Sequence, residues 1–220
     1  HVIYNPYDLP KLAALAAEAP ALQIEGDYIV SVGRLVPNKN FSLLIKAYQQ
    51  SGLQEKLVIL GEGPEQAALQ QLIADLQLEA RVILAGFLDN PYPVMSRARF
   101  AVFSSLAEGF PNAMAEAIAL SLPVVATDCE SGPAEILDDR IRLNAPTAVK
   151  AEFGILVPVN DQAAMTQALQ WMGDTALQDH YRQRSRMRIR QFSVDHAVTQ
   201  YGDALQLPQN TATHELRKQL

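Results

Sequence analysis

The sequence has little cysteine, no long apolar run and no excess of positive charge. Cys129 is its single cysteine, so no disulfide can form within the chain, and a reducing, cytoplasmic setting is expected. No apolar run approaches the ~20 residues that a membrane-spanning helix needs. The formal net charge of −6 at pH 7 argues against general nucleic-acid binding, which usually requires a basic surface. Any recognition of phosphate must therefore be local.

Short apolar runs alternate with amphipathic stretches through most of the chain, whose hydrophobic content of 49% is that of an ordinary globular domain. The predicted strands are residues 27–33, 56–61, 81–85, 100–104, 123–127 and 154–158. The predicted helices are residues 41–50, 64–77, 91–98, 112–121 and 161–172. This rhythm predicts an α/β fold, a Rossmann-like doubly wound parallel sheet. Its strands lack polar alternation, so we expect them to be buried on both faces.

The two ends of the chain fall outside this rhythm. Residues 1–20 are expected to be a remnant of a preceding domain and a linker, and residues 21–174 the Rossmann-like domain. Within it, the polar and small residues of 138–153 predict an irregular surface loop. Residues 175–207 are predicted to form C-terminal helices with Ser193 as an N-cap, followed by a polar tail over 208–220.

Two cations follow the first predicted strand, close to the start of a helix. Ligands of open α/β sheets bind beyond the carboxyl ends of the strands. Arg34 directly follows Gly33, and Lys39 precedes a helix whose free N–H groups also attract anions. The arrangement suits a diphosphate, although spacing alone equally permits a solvated Arg and Lys in a loop. Gly61 and Gly63 would allow backbone to approach a ligand, but the third glycine of the dinucleotide fingerprint is missing.

Two carboxylates, Glu108 and Glu116, lie eight residues apart in "SSLAEGFPNAMAEA". Glu108 follows the fourth predicted strand, Gly109 and Pro111 shape a turn, and Asn112 can cap the next helix. Glu116 then falls in the first turns of that helix, where both acids could face one ligand. Carboxylates at such an edge accept hydrogen bonds from sugar hydroxyls. A solvated loop acid and an acid that interacts with the helix dipole are the alternative that the residues leave open.

Five segments occur in the order and at the spacing of a known family: "VGRLVPNKN", "LVILGEGPE", "VILAGFLDNPY", "EGFPNAMAEA" and "LPVVATDCESGPAEIL". Over roughly residues 27–172 the sequence resembles the C-terminal half of the retaining glycosyltransferase family 4, also called group 1, which has the GT-B architecture. Glu108 and Glu116 match its E-x7-E motif. The opening "VIYNP" is similar to the family's last N-domain strand and linker.

The resemblance implies a domain that binds a nucleotide-sugar donor, most commonly a UDP-sugar. It implies that Arg34 and Lys39 bind the diphosphate and stabilise the leaving group, that Glu108 orients the transferred sugar, and that Glu116 holds the ribose hydroxyls. The implied catalytic residues are therefore Glu108, Arg34 and Lys39. The other implied donor-binding positions are Gly33, Gly61, Gly86, Phe87, Gly109, Phe110 and Asn112.

The implied reaction is retaining transfer of a hexose or N-acetylhexosamine to a glycan or lipid-linked acceptor in polysaccharide biosynthesis. It requires no metal cofactor, and no metal-ligand spacing is visible in the sequence. The acceptor-binding N-terminal domain is expected to be missing from this chain, which alone would not be fully active. We expect a cytoplasmic protein, with contact to the inner face of a membrane made only through the missing half.

Alternative functions remain open beside this one. The chain could be the non-catalytic nucleotide-sugar-binding module of a split transferase. It could also belong to a GT-B nucleotide-sugar epimerase, against which the E-x7-E motif argues. Residues outside the motifs have plain expected roles: surface positions for His1, His180, His196 and His214, and space filling in the core for Cys129 and Trp171.

Overall fold

The computed structural model describes residues 2–140 and 144–205, which form one sheet with helices on both faces. The strands are β1 (Tyr28–Val32), β2 (Lys56–Leu60), β3 (Val82–Leu84), β4 (Ala101–Phe103), β5 (Val124–Thr127), β6 (Val149–Lys150) and β7 (Ile155–Val157). The α-helices are α1 (Leu9–Ala16), α2 (Phe41–Ser51), α3 (Gln66–Asp75), α4 (Tyr92–Ser96), α5 (Asn112–Ala119), α6 (Pro133–Leu137), α7 (Gln162–Met172), α8 (Thr175–Arg188) and α9 (Val194–Ala204). Short 3-10 helices cover Pro37–Lys39 and Ile189–Phe192.

The seven-stranded sheet has the order β3-β2-β1-β4-β5-β7-β6. Every neighbouring pair is parallel except β6 and β7. From β1 the chain adds strands in one direction through β2 and β3, and from β4 it adds them in the other. The loops that leave β1 and β4 therefore lead to opposite halves of the sheet, the arrangement that forms a crevice at the carboxyl ends of the strands in doubly wound folds. Ligands of doubly wound folds bind at such a reversal point.

Each face of the sheet buries its own core, because side chains alternate between the faces of a strand. Ile29 and Leu57 pack with residues of α2, α3 and α7 on one face, whereas Val30 and Val58 pack with residues of α4 and α5 on the other. All four side chains are 0% exposed, so each contributes about 1.5–3 kcal/mol through burial. The predicted doubly wound sheet with strands buried on both faces is confirmed.

Short elements were missing from the sequence prediction. The stretch expected to be a linker contains α1, where Asp8 accepts a hydrogen bond from the Lys11 backbone (3.0 Å) and Leu12 is buried. The prediction of an irregular loop over 138–153 was wrong in part, because this stretch contains β6, which pairs antiparallel with β7. A strand of two residues has no apolar periodicity of its own, so only the pairing reveals it.

The predicted C-terminal helices are present and correspond to α8 and α9. The Ser193 hydroxyl accepts a hydrogen bond from the His196 backbone N–H (3.2 Å), which confirms its role as N-cap. His180 and His196 are exposed, as expected, whereas His1, His214 and the tail predicted over 208–220 lie outside the described residues. Within those described residues, no helix has both the length and the apolar character to cross a membrane.

Candidate functional site

The crevice between β1 and β4 is spanned by an ion pair between two residues that the sequence analysis had predicted separately. Lys39 Nζ lies 2.5 Å from Glu108 Oε1, and Ser105 donates a hydrogen bond to the same oxygen (2.6 Å). The Lys39 and Glu108 side chains are 26% and 13% exposed, so the pair is only partly shielded from water. The structure therefore places a cation and a carboxylate together where the strand order reverses.

Hydrogen bonds between the two diverging loops hold Lys39 in this position. The backbone N–H of Leu106 donates to Asn38 O (2.8 Å), and the Asn38 side chain donates to Ala107 O (2.8 Å). The Lys39 stem lies over Gly33, where a Cβ would come within 3.4 Å of Lys39 Cδ. The loop after β1 and the loop after β4 thus form one surface.

The turn that carries Glu108 is supported from the segment before α6. The Ser131 hydroxyl donates to Glu108 O (2.6 Å). Gly132 has a positive φ of 99°, and a Cβ there would lie 2.3 Å from Pro111 Cδ. This support was not predicted from the sequence, although the Ser-Gly-Pro sequence at the start of α6 is a recognisable turn signal.

Glu116 lies on α5 near two tyrosines, Tyr92 and Tyr7. Burial raises the pKa of the Glu116 carboxyl, and a hydrogen bond from the Tyr92 hydroxyl partly opposes that effect. Burial, and then the Glu116 charge, raise the pKa of Tyr92 to about 12. Burial and the same charge also raise the pKa of Tyr7. A half-buried carboxylate with a raised pKa is a candidate for a functional site.

Arg34 is exposed, and its guanidinium makes no hydrogen bond or ion pair with the described part of the chain. The protein itself therefore does not bring Arg34 to Lys39 and Glu108. Its predicted contact with a diphosphate stays a prediction. An exposed and unengaged guanidinium after β1 remains available to an anion at the crevice.

Three of the predicted donor-binding glycines pack against one another at the carboxyl ends of β1, β2 and β3. A Cβ on Gly61, whose φ is +138°, would lie 2.0 Å from Gly33 O. The Gly61 backbone N–H donates to Gly86 O (2.7 Å), and Gly86 has a φ of +75°. Close backbone approach within the protein is therefore one reason for these glycines. Their predicted approach to a ligand stays a prediction, as does that of Phe87, a residue that is 66% exposed.

The remaining predicted positions lie in the turn before α5. A Cβ on Gly109 would meet nothing within 4 Å, so this position is open. Phe110 stacks on Tyr4, with ring centroids 5.6 Å apart. The expected capping by Asn112 was wrong, because α5 begins at Asn112 after Pro111 and has no side-chain cap. Asn112 Oδ1 instead accepts hydrogen bonds from the Tyr7 hydroxyl and the Asn5 side chain (2.7 and 3.1 Å).

Cys129 and Trp171 have the space-filling roles expected of them. Cys129 is 0% exposed, and burial, followed by the Glu108 charge, raises the pKa of its thiol to about 11. A thiol with such a pKa is unreactive near neutral pH. Trp171 packs against the core on the α7 side of the sheet. The described residues contain no group of three or more His, Cys, Asp or Glu that could hold a metal ion.

Comparison with known sequences relates the chain to glycosyltransferases. A family model described as Glycosyl transferases group 1 matches residues 26–174. The chain is 40% identical over 192 residues to an N-acetylgalactosamine-N,N'-diacetylbacillosaminyl-diphospho-undecaprenol 4-alpha-N-acetylgalactosaminyltransferase of Campylobacter jejuni, covering 87% of this chain and 49% of that protein. It is 35% identical over 151 residues to an uncharacterized glycosyltransferase of Methanocaldococcus jannaschii, covering 65% of this chain and 37% of the relative. The chain thus spans about half, or less, of the length of these relatives.

Comparison with solved structures reveals the same fold in enzymes crystallised with UDP. Anabaena Alr3699/HepE in complex with UDP superposes with a TM-score of 0.76 at 24% identity, covering 94% of this chain and 57% of that one. The pneumococcal O-GlcNAc transferase GtfA in complex with UDP and GlcNAc superposes with a TM-score of 0.69 at 20% identity, covering 81% and 35%. At these identities the likeness concerns the fold.

Proposed function

The chain belongs to the glycosyl transferases group 1 family, and on that premise we propose that it is the donor-binding domain of a retaining glycosyltransferase and binds a UDP-sugar. The observation that carries the proposal is the Lys39–Glu108 pair, which spans the crevice where the strand order reverses. The UDP in solved structures of the same fold supports the choice of nucleotide. The alternatives of a split-transferase module and an epimerase have no comparable observation in their favour.

Lys39 is the residue that we assign to the diphosphate. Transfer breaks the bond between the anomeric carbon and the phosphate oxygen, so negative charge grows on the departing diphosphate. A preorganised ammonium beside that position stabilises the charge without a metal ion. Arg34, exposed at the end of β1, would turn towards the same group and add a guanidinium.

Glu108 is assigned to the transferred sugar, whose hydroxyls its carboxylate would orient. Oε1 is engaged by both Lys39 and Ser105, which fixes the carboxylate in one orientation. We propose retention by same-face attack assisted by the leaving phosphate, with Glu108 as an orienting residue and not a covalent nucleophile. Held on a supported turn, Glu108 would position the sugar for attack.

Glu116 is assigned to the ribose hydroxyls. Its carboxylate is half-buried on α5, and the Tyr92 hydroxyl engages it from the α4 side. A buried carboxylate that has lost part of its hydration gains more from hydroxyl donors than an exposed one does. The cost of burying it is therefore offset when the ligand binds.

The acceptor side is proposed from the relatives. The Campylobacter jejuni protein is named as an N-acetylgalactosaminyltransferase that acts on a diphospho-undecaprenol-linked saccharide. We propose transfer of a hexose or N-acetylhexosamine to a comparable glycan or lipid-linked acceptor. That acceptor would be held by the half of the protein that lies outside this chain, at the cytoplasmic face of a membrane.

Calorimetry tests the donor site directly. The chain is titrated with UDP and GDP, once with a chelator and once with Mg²⁺. We expect UDP to bind in both conditions, because Lys39 and Arg34 supply the countercharge.

Lys39→Ala should weaken UDP binding by about 1.5–3 kcal/mol, roughly ten- to hundredfold, as expected for a charged hydrogen bond. Lys46→Ala, an exposed lysine on α2, is the matched control and should bind UDP like the unchanged chain. Absence of UDP binding would contradict the proposed donor site. Binding that disappears with chelator would contradict the proposed metal-free mechanism.

A further inference from the structure

The residues before α1 contact the turn of the proposed donor site. Tyr4 contacts two aromatic rings, with centroid distances of 5.6 Å to Phe110 and 5.5 Å to Phe192. Phe110 and Phe192 are themselves 6.0 Å apart. Phe110 belongs to the Gly-Phe-Pro turn that connects Glu108 to α5. The Tyr4 ring thus adds to a three-ring cluster that connects this turn to the 3-10 helix Ile189–Phe192.

Polar side chains of the same segment contact the first residue of α5. The Tyr7 hydroxyl and the Asn5 side chain both donate to Asn112 Oδ1, at 2.7 and 3.1 Å. We call Tyr4, Asn5 and Tyr7 the N-terminal clasp. The clasp thereby contacts the turn at Phe110 through a ring and at Asn112 through hydrogen bonds.

The backbone of the clasp is itself anchored. The Tyr7 N–H donates to Phe192 O (2.8 Å), and the Val194 N–H donates to Tyr7 O (3.3 Å). The segment that receives these bonds is braced in turn, because the buried Arg188 guanidinium donates to Ile136 O (2.9 Å) in α6. The clasp is therefore anchored to the C-terminal part of the chain independently of the turn. It can thus restrain the position of the turn.

We propose that Tyr7 and Tyr4 are positioning residues for the donor site, which act through Asn112 and Phe110 to hold the turn between Glu108 and Glu116. The proposal rests on the proposed function, since it assigns that turn to the donor. Ser131 and Gly132 support this turn at Glu108 and Pro111, whereas Gly109 faces open space and Asn112 forms no helix cap. We expect loss of the clasp to leave Phe110 and Asn112 less ordered, so that part of the ordering cost falls on donor binding and lowers affinity.

Removal of one hydroxyl tests the proposal with little change in volume. Tyr7→Phe deletes the donor to Asn112 and keeps the ring, and UDP affinity should fall about three- to tenfold, as expected for one net hydrogen bond. Asn112→Ala removes the hydrogen bonds from both Tyr7 and Asn5, so its loss should be at least as large. The double variant should lose no more than Asn112→Ala alone, because the Tyr7 bond is then already absent. The matched control is Tyr48→Phe, whose hydroxyl donates to Glu55 O (2.7 Å) at the opposite end of the sheet. It should bind UDP normally.

Thermal unfolding and amide hydrogen exchange on the same variants separate positioning from general stability. We expect Tyr7→Phe to lose exchange protection within residues 110–116 while its Tm stays close to that of Tyr48→Phe. UDP affinity equal to that of the unchanged chain overturns the proposal, and so does an equal loss in Tyr48→Phe. If the unchanged chain fails to bind UDP, the proposed function is contradicted. The exchange experiment needs no ligand, and unchanged protection in Tyr7→Phe would then independently contradict the clasp.

Discussion

At the scale of single residues, Lys39 has two competing partners: Glu108 in the free protein and a diphosphate in the proposed complex. The 2.5 Å contact neutralises the ammonium while no donor is bound. An anionic ligand must therefore share or displace this carboxylate. Since both side chains are mostly buried, the cost of desolvating them offsets much of their attraction, so the pair's net contribution to stability is small. The pair is better explained as preorganisation of the site than as a stabilising contact.

Glu108→Gln should separate nucleotide binding from turnover. Without the carboxylate, the full charge of Lys39 is available to phosphate, so affinity for UDP should stay equal or rise, most clearly at low salt. In the proposed two-domain enzyme, kcat should fall, because the carboxylate proposed to orient the sugar near the transition state is absent. Calorimetry at two salt concentrations and steady-state kinetics measure the two effects. Weaker UDP binding in this variant would contradict the assignment of Glu108 to the sugar.

Glu116→Gln should have opposite effects on stability and binding. Burial raises the pKa of Glu116 above its ordinary 4.5, so the folded chain binds this proton more tightly than the unfolded chain. The carboxylate therefore lowers stability as pH rises above 4.5. Glu116→Gln removes that cost, and its Tm at pH 7 should equal or exceed that of the unchanged chain.

The same variant should bind UDP about tenfold more weakly, because a neutral amide replaces an ionic acceptor. Any gain in Tm should shrink as the pH is lowered towards 4.5. Glu79→Gln, an exposed acid, serves as control and should change neither quantity. A variant that loses stability at pH 7, or one that keeps full UDP affinity, argues against the assignment of Glu116.

At the scale of elements, the loops after β1 and β2 touch backbone to backbone, which only glycine permits. Gly61→Ala would place a Cβ 2.0 Å from Gly33 O, in a conformation with φ of +138°. We expect a loss of about 2 kcal/mol or more in the free energy of unfolding, together with weaker UDP binding. Urea denaturation measures the first and calorimetry the second.

The control for this prediction is the same change on an unconstrained helix. Gly202→Ala lies within α9, where a Cβ would meet nothing within 4 Å. Stability should rise there by up to about 1 kcal/mol, because alanine is the better helix former. If Gly61→Ala proves as stable as Gly202→Ala, the tight packing of the loops is not a constraint.

At the scale of the whole molecule, the chain spans 49% of its Campylobacter jejuni relative and 57% of the Anabaena structure. The isolated chain should therefore bind the donor but transfer no sugar to glycan or lipid-linked acceptors, since the acceptor site would lie in the other half. Slow hydrolysis of UDP-sugar is the most that we expect. Product analysis with radiolabelled UDP-sugars checks this, and efficient transfer by this chain alone would place the acceptor site within it.

The amino-acid sequence alone determined the fold class and most of the long elements. Buried apolar runs and helical periodicity are local signals, and they correctly predicted β1, β2, α2, α7 and the pair α8 and α9. The five family segments also identified the glycosyltransferase family, which the family model confirms over residues 26–174. Local patterns suffice for these conclusions because each depends on residues that are close together in the chain.

Only the tertiary structure decided which side chains meet. Lys39 and Glu108 are 69 positions apart, and Tyr7 and Asn112 are 105 positions apart. The first contact exists because β1 is the neighbour of β4, and the second because the N-terminal segment is anchored beside α9. Strand order and the docking of chain ends are properties of the packed molecule, and local periodicity carries no information about them. For the same reason the sequence suggested that Asn112 caps α5, whereas in the packed molecule its side chain accepts hydrogen bonds from Tyr7 and Asn5.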